Sequence, residues 1–137
     1  MKIRVVEETD LQEVFKLAQG AFKKPWSLKR FQKQFKEERK LFLVAEEGGI
    51  IGFSIARSDG LYMLIAVSPG QRGKRVGSEL LKETLSALKR EGVKRAFGHV
   101  RKSNEKVLDF YTKHGFRKKP EPGYYSDEDG WRLEKTL

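Results

Sequence analysis

The sequence predicts one mixed α/β domain over residues 1–137, neither doubly wound nor closed into a barrel. Three observations predict it. Hydrophobic periodicity alternates between strand and helix spacing in the order β-α-α-β-β-β-α-β-α-β-β. The stretch "LYMLIAVS", residues 61–68, is almost continuously apolar, the pattern of a central strand covered on both faces. It runs directly into "PGQRGKRVGSELLKETL", a basic, glycine-containing loop that opens a helix.

Residues 2–7 alternate apolar and polar positions and read as a strand. Thr9 and Asp10 are placed to cap a helix whose apolar positions are Leu11, Val14, Phe15, Ala18 and Phe22. Pro25 breaks that helix. Ser27 caps a second one, with Leu28, Phe31 and Phe35 on one face and Lys/Arg on the other. "LFLVAEEGGIIGFSIARS" reads as a hairpin turning at Gly48-Gly49. After the apolar strand and its loop, a helix runs to about Arg90 and stops at Gly92. Residues 93–101 form a strand, and residues 104–114 a helix stopped by Gly115. Short strands near Phe116–Lys118 and Trp131–Thr136 close the chain, joined by the turn-rich "KPEPGYYSDEDG".

Composition narrows the chemistry. With 38% hydrophobic residues and nine Phe, the chain can bury a core. It has no cysteine, which excludes disulfides, thiolate metal sites and a cysteine nucleophile. His99 and His114 are its two histidines, too few for a His-rich metal site, and no metal is expected. No apolar run is long enough to cross a bilayer. "MKIRVVEETD" lacks the apolar core of a signal peptide, so a cytoplasmic protein is expected. The net charge is +10, from 29 Lys+Arg against 19 Asp+Glu. That excess points to an anionic partner: RNA, a membrane surface or a phosphorylated cofactor. A charged fraction of 35% is also a thermophile habit, which explains the quantity of charge but not its sign.

The loop carries the first chemical signal. A helix N-terminus presents unpaired N–H groups and a partial positive charge. Gly70, Gly73 and Gly77 let the backbone approach a ligand closely, and Arg72, Lys74 and Arg75 add longer-range attraction. Together they suit a polyphosphate, with Ser78 in place to donate one more hydrogen bond. An ordinary βα turn with solvated cations has the same composition. The second signal is "HVRKSNEKVLDFYTKHGF". Asn104 and Tyr111 lie two helical turns apart, roughly 10 Å along one face, with Val107 and Leu108 between them. A long ligand on that face would meet an amide at one end and a phenol at the other. Taken separately, Asn104 is an N-cap and Tyr111 a core aromatic.

In order and behind one apolar strand, the two segments resemble the GNAT superfamily of acetyl-CoA-dependent N-acetyltransferases. "LIAVSPGQRGKRVGSELL" resembles the family's strand, pyrophosphate loop and helix, with Arg72 in the first position of the loop pattern and Gly77 in the last. Arg75 stands where a glycine is usual. "SNEKVLDFYTKHGF" resembles the motif that follows. The resemblance implies a GNAT-like fold with a central splayed sheet and acetyl-CoA as cofactor. It implies that Arg72, Gly73, Lys74, Arg75, Val76, Gly77 and Ser78 hold the diphosphate. It makes Asn104 a further cofactor contact, Tyr111 the general acid, and the N–H groups around Ile65, Ala66 and Val67 the oxyanion donors, Val67 foremost.

Within the superfamily the chain is most similar to the ribosomal-protein-alanine and N-terminal α-amine acetyltransferases. "PWSLKRF" resembles their substrate-side helix, and Tyr124 and Tyr125 in "GYYSDEDG" resemble a pair that grips the peptide backbone. Trp26, Tyr124 and Tyr125 are thus the expected substrate contacts. "GWRLEKTL" departs from the acidic-alanine pattern those enzymes commonly carry there. His99 stands where such enzymes can carry a glutamate base, and a histidine suits the same work, directly or through water. The expected acceptor is an amine, foremost a protein N-terminus, met by a monomer or homodimer. A lysine, a polyamine or a small metabolite is the alternative acceptor. Two non-catalytic alternatives are an acyl-CoA sensor, kept open by Arg75, and an RNA-binding module built on "LKRFQKQFKEERK". Nucleic acid is disfavoured, because a helix with one apolar face and solvated Lys/Arg opposite needs no ligand.

Overall fold

The computed structural model describes all residues, 1–137. Seven strands and four α-helices follow the expected order. They are β1 (Lys2–Val5), α1 (Leu11–Ala21), α2 (Leu28–Glu38), β2 (Phe42–Glu46), β3 (Ile50–Ala56), β4 (Tyr62–Val67), α3 (Val76–Arg90), β5 (Arg95–Arg101), α4 (Glu105–Lys113), β6 (Arg117–Glu121) and β7 (Gly130–Thr136). Three-residue 3-10 turns precede α1, β2 and the basic loop.

Local chemistry explains most boundaries. The Ser27 hydroxyl accepts from the Arg30 N–H at 3.2 Å, which caps α2. Gly92, at φ 84°, ends α3. Its N–H donates to Lys89 O at 3.0 Å, and the Val93 N–H to Leu88 O at 3.0 Å, the paired closure of a Schellman motif. The start of α1 differs from expectation. Asp10 is buried and pairs with Arg4, at 2.7 and 2.9 Å, and its carboxylate also accepts from the Glu7 N–H at 2.7 Å. It makes no cap to α1, because the guanidinium of β1 is the stronger partner for a buried carboxylate.

The strands form two antiparallel sheets, β1-β2-β3-β4 and β5-β7-β6. α1 and α2 cover one side of the first sheet, around Val14, Ala18 and Phe31 packed on Phe42, Phe53 and Ile55. On the other side, Leu81 and Leu88 of α3 and Leu108 and Tyr111 of α4 pack with Ala96, Val100 and Leu133 of the second sheet. Each such Val, Leu, Ile or Phe contributes about 1.5–3 kcal/mol on burial. A buried polar trio crosses this apolar layer: Ser54 Oγ bonds both Tyr62 Oη and, at 2.9 Å, Thr84 Oγ1.

Strand β4 corrects the sequence reading. It is the edge of its sheet, and Met63, Leu64, Ile65 and Val67 are only partly covered. Its apolar character serves a cleft rather than a central position. Sheet to sheet, β4 and β5 are joined at one parallel bridge, Leu61 with Phe97, where the Phe97 N–H donates to Gly60 O at 2.9 Å. Gly60 makes this approach possible: a Cβ there would lie 2.2 Å from Arg95 O. Immediately beyond, the register shifts from Ala56 opposite Tyr62 to Ile55 opposite Leu64. Met63 is therefore an extra residue, a β-bulge. Bulges bend a strand and raise its twist, so β4 and β5 part from this point onward.

Candidate active site

The parting of β4 and β5 opens a mostly apolar recess lined by Tyr62–Ile65, Gly98–Val100, Asn104, Val107, Tyr111 and Phe22. It runs into a groove walled by Ile65, Ala66, Val67, Arg72, Gly77, Asn104 and Phe110, which in turn meets a polar hollow at the start of α3. Recess and groove share Phe22, Ile65, Asn104 and Val107, and groove and hollow share Val67, Arg72, Gly77 and Phe110, so the three adjoin in a row from the basic loop to the Tyr111 ring. Backbone direction along it follows from the ladder. The Ser68 N–H donates to Ile51 O at 2.8 Å, while Val67 and Ile65 stand opposite Gly52 and Ser54. Alternation then turns the Val67 and Ile65 N–H groups away from β3, into the gap.

At the α3 end no side chain caps the helix. Arg75 is its N-cap residue, at φ 64° and ψ 12°, and the only non-glycine residue with positive φ. That explains why glycine would suit the position. The hollow is lined by Gln71, Arg72, Gly73, Arg75, Val76, Gly77, Ser78 and Phe110. Val76 buries its side chain among Leu43, Ile51 and Leu80, leaving its N–H as the group it can offer. A Cβ on Gly77 would lie 3.5 Å from the Phe110 ring, so the missing side chain keeps the groove wide. Lys74 is exposed and outside the lining. Ser78 departs from expectation: its Oγ is 3.1 Å from His114 Nε2, while His114 Nδ1 is 2.7 Å from Phe110 O. A carbonyl only accepts, so Nδ1 carries hydrogen and, in neutral His114, the serine proton points to Nε2. Ser78 thus ties α3 to α4 and keeps only acceptor capacity for anything in the hollow.

Asn104 lines both recess and groove. Its Oδ1 accepts from the Val107 N–H at 3.4 Å, so it caps α4 and leaves its NH2 group free. Tyr111 is buried, with only 8% of its surface exposed, and faces the recess. Burial raises its pKa well above the ordinary tyrosine value, with a smaller contribution from Tyr62. The phenol therefore holds its proton at neutral pH, as a proton donor must.

On the other side of the gap, His99 lines the recess from β5. Its Nδ1 lies 2.8 Å from Glu121 Oε1, and its ring stacks on Tyr124 at 4.3 Å and 11°. Tyr125 packs edge-on to Tyr124 at 5.0 Å and under the Arg101 guanidinium at 4.4 Å. Arg101 is held by Asp127 at 2.6 Å, whose carboxyl it keeps below the usual range. Trp26 is not brought to the recess. It packs on Phe31 at 5.3 Å beneath Arg30 at 4.0 Å, and Phe22 from the end of α1 lines the recess instead. Glu121, Phe110 and Gln71 were not singled out in the sequence, and Phe22 was read there only as an apolar helix position. Glu121 lies 22 residues from His99, and only the pairing of β5, β7 and β6 joins them.

The donor set fits acetyl-CoA. Open helix amides, Arg72 and Arg75 suit a diphosphate, the apolar groove suits the pantetheine arm, and a protonated phenol stands at the far end. The pattern describing the acetyltransferase (GNAT) family matches residues 11–116. The ribosomal protein bS18-alanine N-acetyltransferase of Escherichia coli is 29% identical over 132 residues, 93% of this chain and 89% of that protein. An N-alpha-acetyltransferase of Sulfurisphaera tokodaii is 26% identical over 99% of this chain and 93% of its own. The crystal structure of the Escherichia coli ribosomal-protein-S18-alanine N-acetyltransferase superposes with a TM-score of 0.84, at 27% identity, over 99% of this chain and 93% of that one. The cleft between β4 and β5, the uncapped start of α3 and these likenesses lead to one conclusion: the chain belongs to the acetyltransferase (GNAT) family and is an acetyl-CoA-dependent N-acetyltransferase.

Proposed function

We propose that residues 1–137 act as one domain that acetylates a protein N-terminal α-amine in a ternary complex, without a covalent enzyme intermediate. One observation carries the reading: the channel from the α3 amides reaches Tyr111 and His99 in the same recess. A cofactor held along this channel brings its acetyl group to both side chains. The names of the bacterial and archaeal relatives supply the acceptor class. A terminal amine, with a pKa near 8, is also easier to present neutral than lysine, near 10.4.

Acetyl-CoA supplies an activated carbonyl and a thiolate leaving group. Arg72, Arg75 and the N–H groups of Val76 and Gly77 hold its diphosphate, with the Asn104 amide further along. Holding both reactants removes much of the entropic barrier. His99 takes the first proton from the acceptor ammonium, directly or through water. The Val67 N–H donates to the carbonyl oxygen as negative charge builds there. Tyr111 gives its proton to the departing sulfur, and the second proton of the attacking nitrogen replaces it. Tyr124 and Tyr125 flank the acceptor chain. The test is labelled acetyl-CoA with peptides bearing a free α-amine, the same peptides blocked at the N-terminus, lysine-rich proteins and polyamines. Label in the free peptides alone is expected. Equal or greater label in blocked peptides or polyamines would overturn the acceptor class.

A further inference from the structure

The His99–Glu121 contact joins a recess-lining histidine to a carboxylate with no other charged partner. Across a protein of net charge +10, Glu121 forms one ion pair, and that is with His99. Nearby acids are engaged elsewhere: Glu134 takes Arg95, Lys119 and Arg132, and Asp127 and Glu128 take Arg101. The pair is mostly shielded, with 19% of the His99 and 21% of the Glu121 side chain exposed. Its geometry is held from both ends. Glu121 ends β6, and its carbonyl accepts from the Tyr124 N–H at 3.2 Å. The same turn thus lays the Tyr124 ring on the imidazole.

We infer that Glu121 is a positioning residue: it holds hydrogen on Nδ1 of His99 and so leaves Nε2 as the lone-pair nitrogen that receives the acceptor's proton. The inference rests on the reading of His99 as base. An ionised carboxylate only accepts, so a bond to Nδ1 at 2.8 Å selects that tautomer. The Tyr124 stack, 11° from parallel, sets the ring plane. When Nε2 takes the proton, the new imidazolium charge lies against the Glu121 carboxylate, which stabilises it where water is scarce. Arg132, opposite His99 in the ladder, lies over Phe97 at 4.5 Å and pairs with Glu134 at 2.8 Å, so it does not compete for Glu121.

Nitrogen-15 NMR of the native protein, with kinetics of Glu121→Gln, Glu121→Leu and His99→Asn, tests this. In the native protein the neutral imidazole is expected to carry hydrogen on Nδ1; hydrogen on Nε2 would overturn the inference without any variant. Glutamine keeps an acceptor but loses the charge and can also donate to Nδ1, so Glu121→Gln is expected to fall between native and Glu121→Leu in both tautomer preference and kcat. Glu121→Leu is expected to lose the tautomer preference and at least about tenfold in kcat, with KM for acetyl-CoA unchanged. Native kcat in Glu121→Leu, beside an impaired His99→Asn, would overturn the positioning role alone. Native kcat in His99→Asn would remove the base assignment beneath it.

Discussion

The rings of Tyr62 on β4 and Tyr111 on α4 meet edge to face, 5.8 Å apart, where the two sheets separate. Both phenols are deeply buried, yet they differ in partners. Tyr62 is anchored through Ser54 to Thr84 of α3, whereas Tyr111 lines the recess and its hydroxyl makes no hydrogen bond. The fixed tyrosine thus forms a wall against which the other is set.

Tyr111→Phe keeps this edge-to-face contact and removes only the hydroxyl. The variant is expected to fold normally and bind acetyl-CoA with unchanged affinity. Its kcat should fall on the order of 10²–10⁴-fold, the range for general acid catalysis. Stopped-flow or steady-state thiol release checks this, and a loss below threefold would remove Tyr111 from the proton path.

Burial raises Tyr62 to about 12 and Tyr111 well above its ordinary value. In the unfolded chain both ionise near 10. Between the unfolded and folded values the unfolded state binds fewer protons, so stability is full below about pH 10 and falls as pH rises further. Thermal melting across this range should show that decline, smaller in Tyr62→Phe once its lost hydrogen bond is allowed for. Phenolate absorbance should show these two of the four tyrosines titrating last.

Arg75 holds φ 64° at the start of α3, a conformation that strains side chains other than glycine by roughly 1 kcal/mol. Glycine removes the strain but makes the unfolded chain freer, so Arg75→Gly is expected to stabilise the free protein by about 0.5 kcal/mol. Losing a cation beside the hollow should weaken acetyl-CoA binding a few-fold at low salt and less at high salt. Melting and titration at two ionic strengths separate the two effects, and tighter binding in both would contradict a diphosphate contact.

Arg4 holds the Asp10 carboxyl below its ordinary pKa, through a paired hydrogen bond that outweighs burial. A lowered folded pKa gives stability that is present above about pH 4 and lost as pH falls through the folded value. Asp10→Asn should cost on the order of 2 kcal/mol at neutral pH. Its urea midpoint should vary less with pH below 4 than that of the native protein.

Element order was legible in the chain because helix and strand spacing, Ser27, Gly92 and Gly115 act within a few residues. That Arg72, Asn104 and Tyr111 would line one cleft could be anticipated for a related reason: each sits in a segment whose pattern is local. Glu121 and Phe22 were hidden, because their relevance comes from contacts across the sheet and between layers. The partners of Ser78 and Trp26, His114 and Phe31, were hidden as well, because a hydroxyl and an indole are versatile and packing decides what they meet. Strand β4 was misread because an apolar run looks alike whether it is buried centrally or lines a cleft.

By itself, then, the sequence determined the succession of elements, the open amides at α3 and the phenol two turns beyond Asn104, since backbone hydrogen bonding and helical spacing are short-range. Only the tertiary structure decided that β4 would part from β5. A one-residue bulge at Met63 and the close passage of Gly60 against Arg95 fix that divergence, and neither is a property of any single segment.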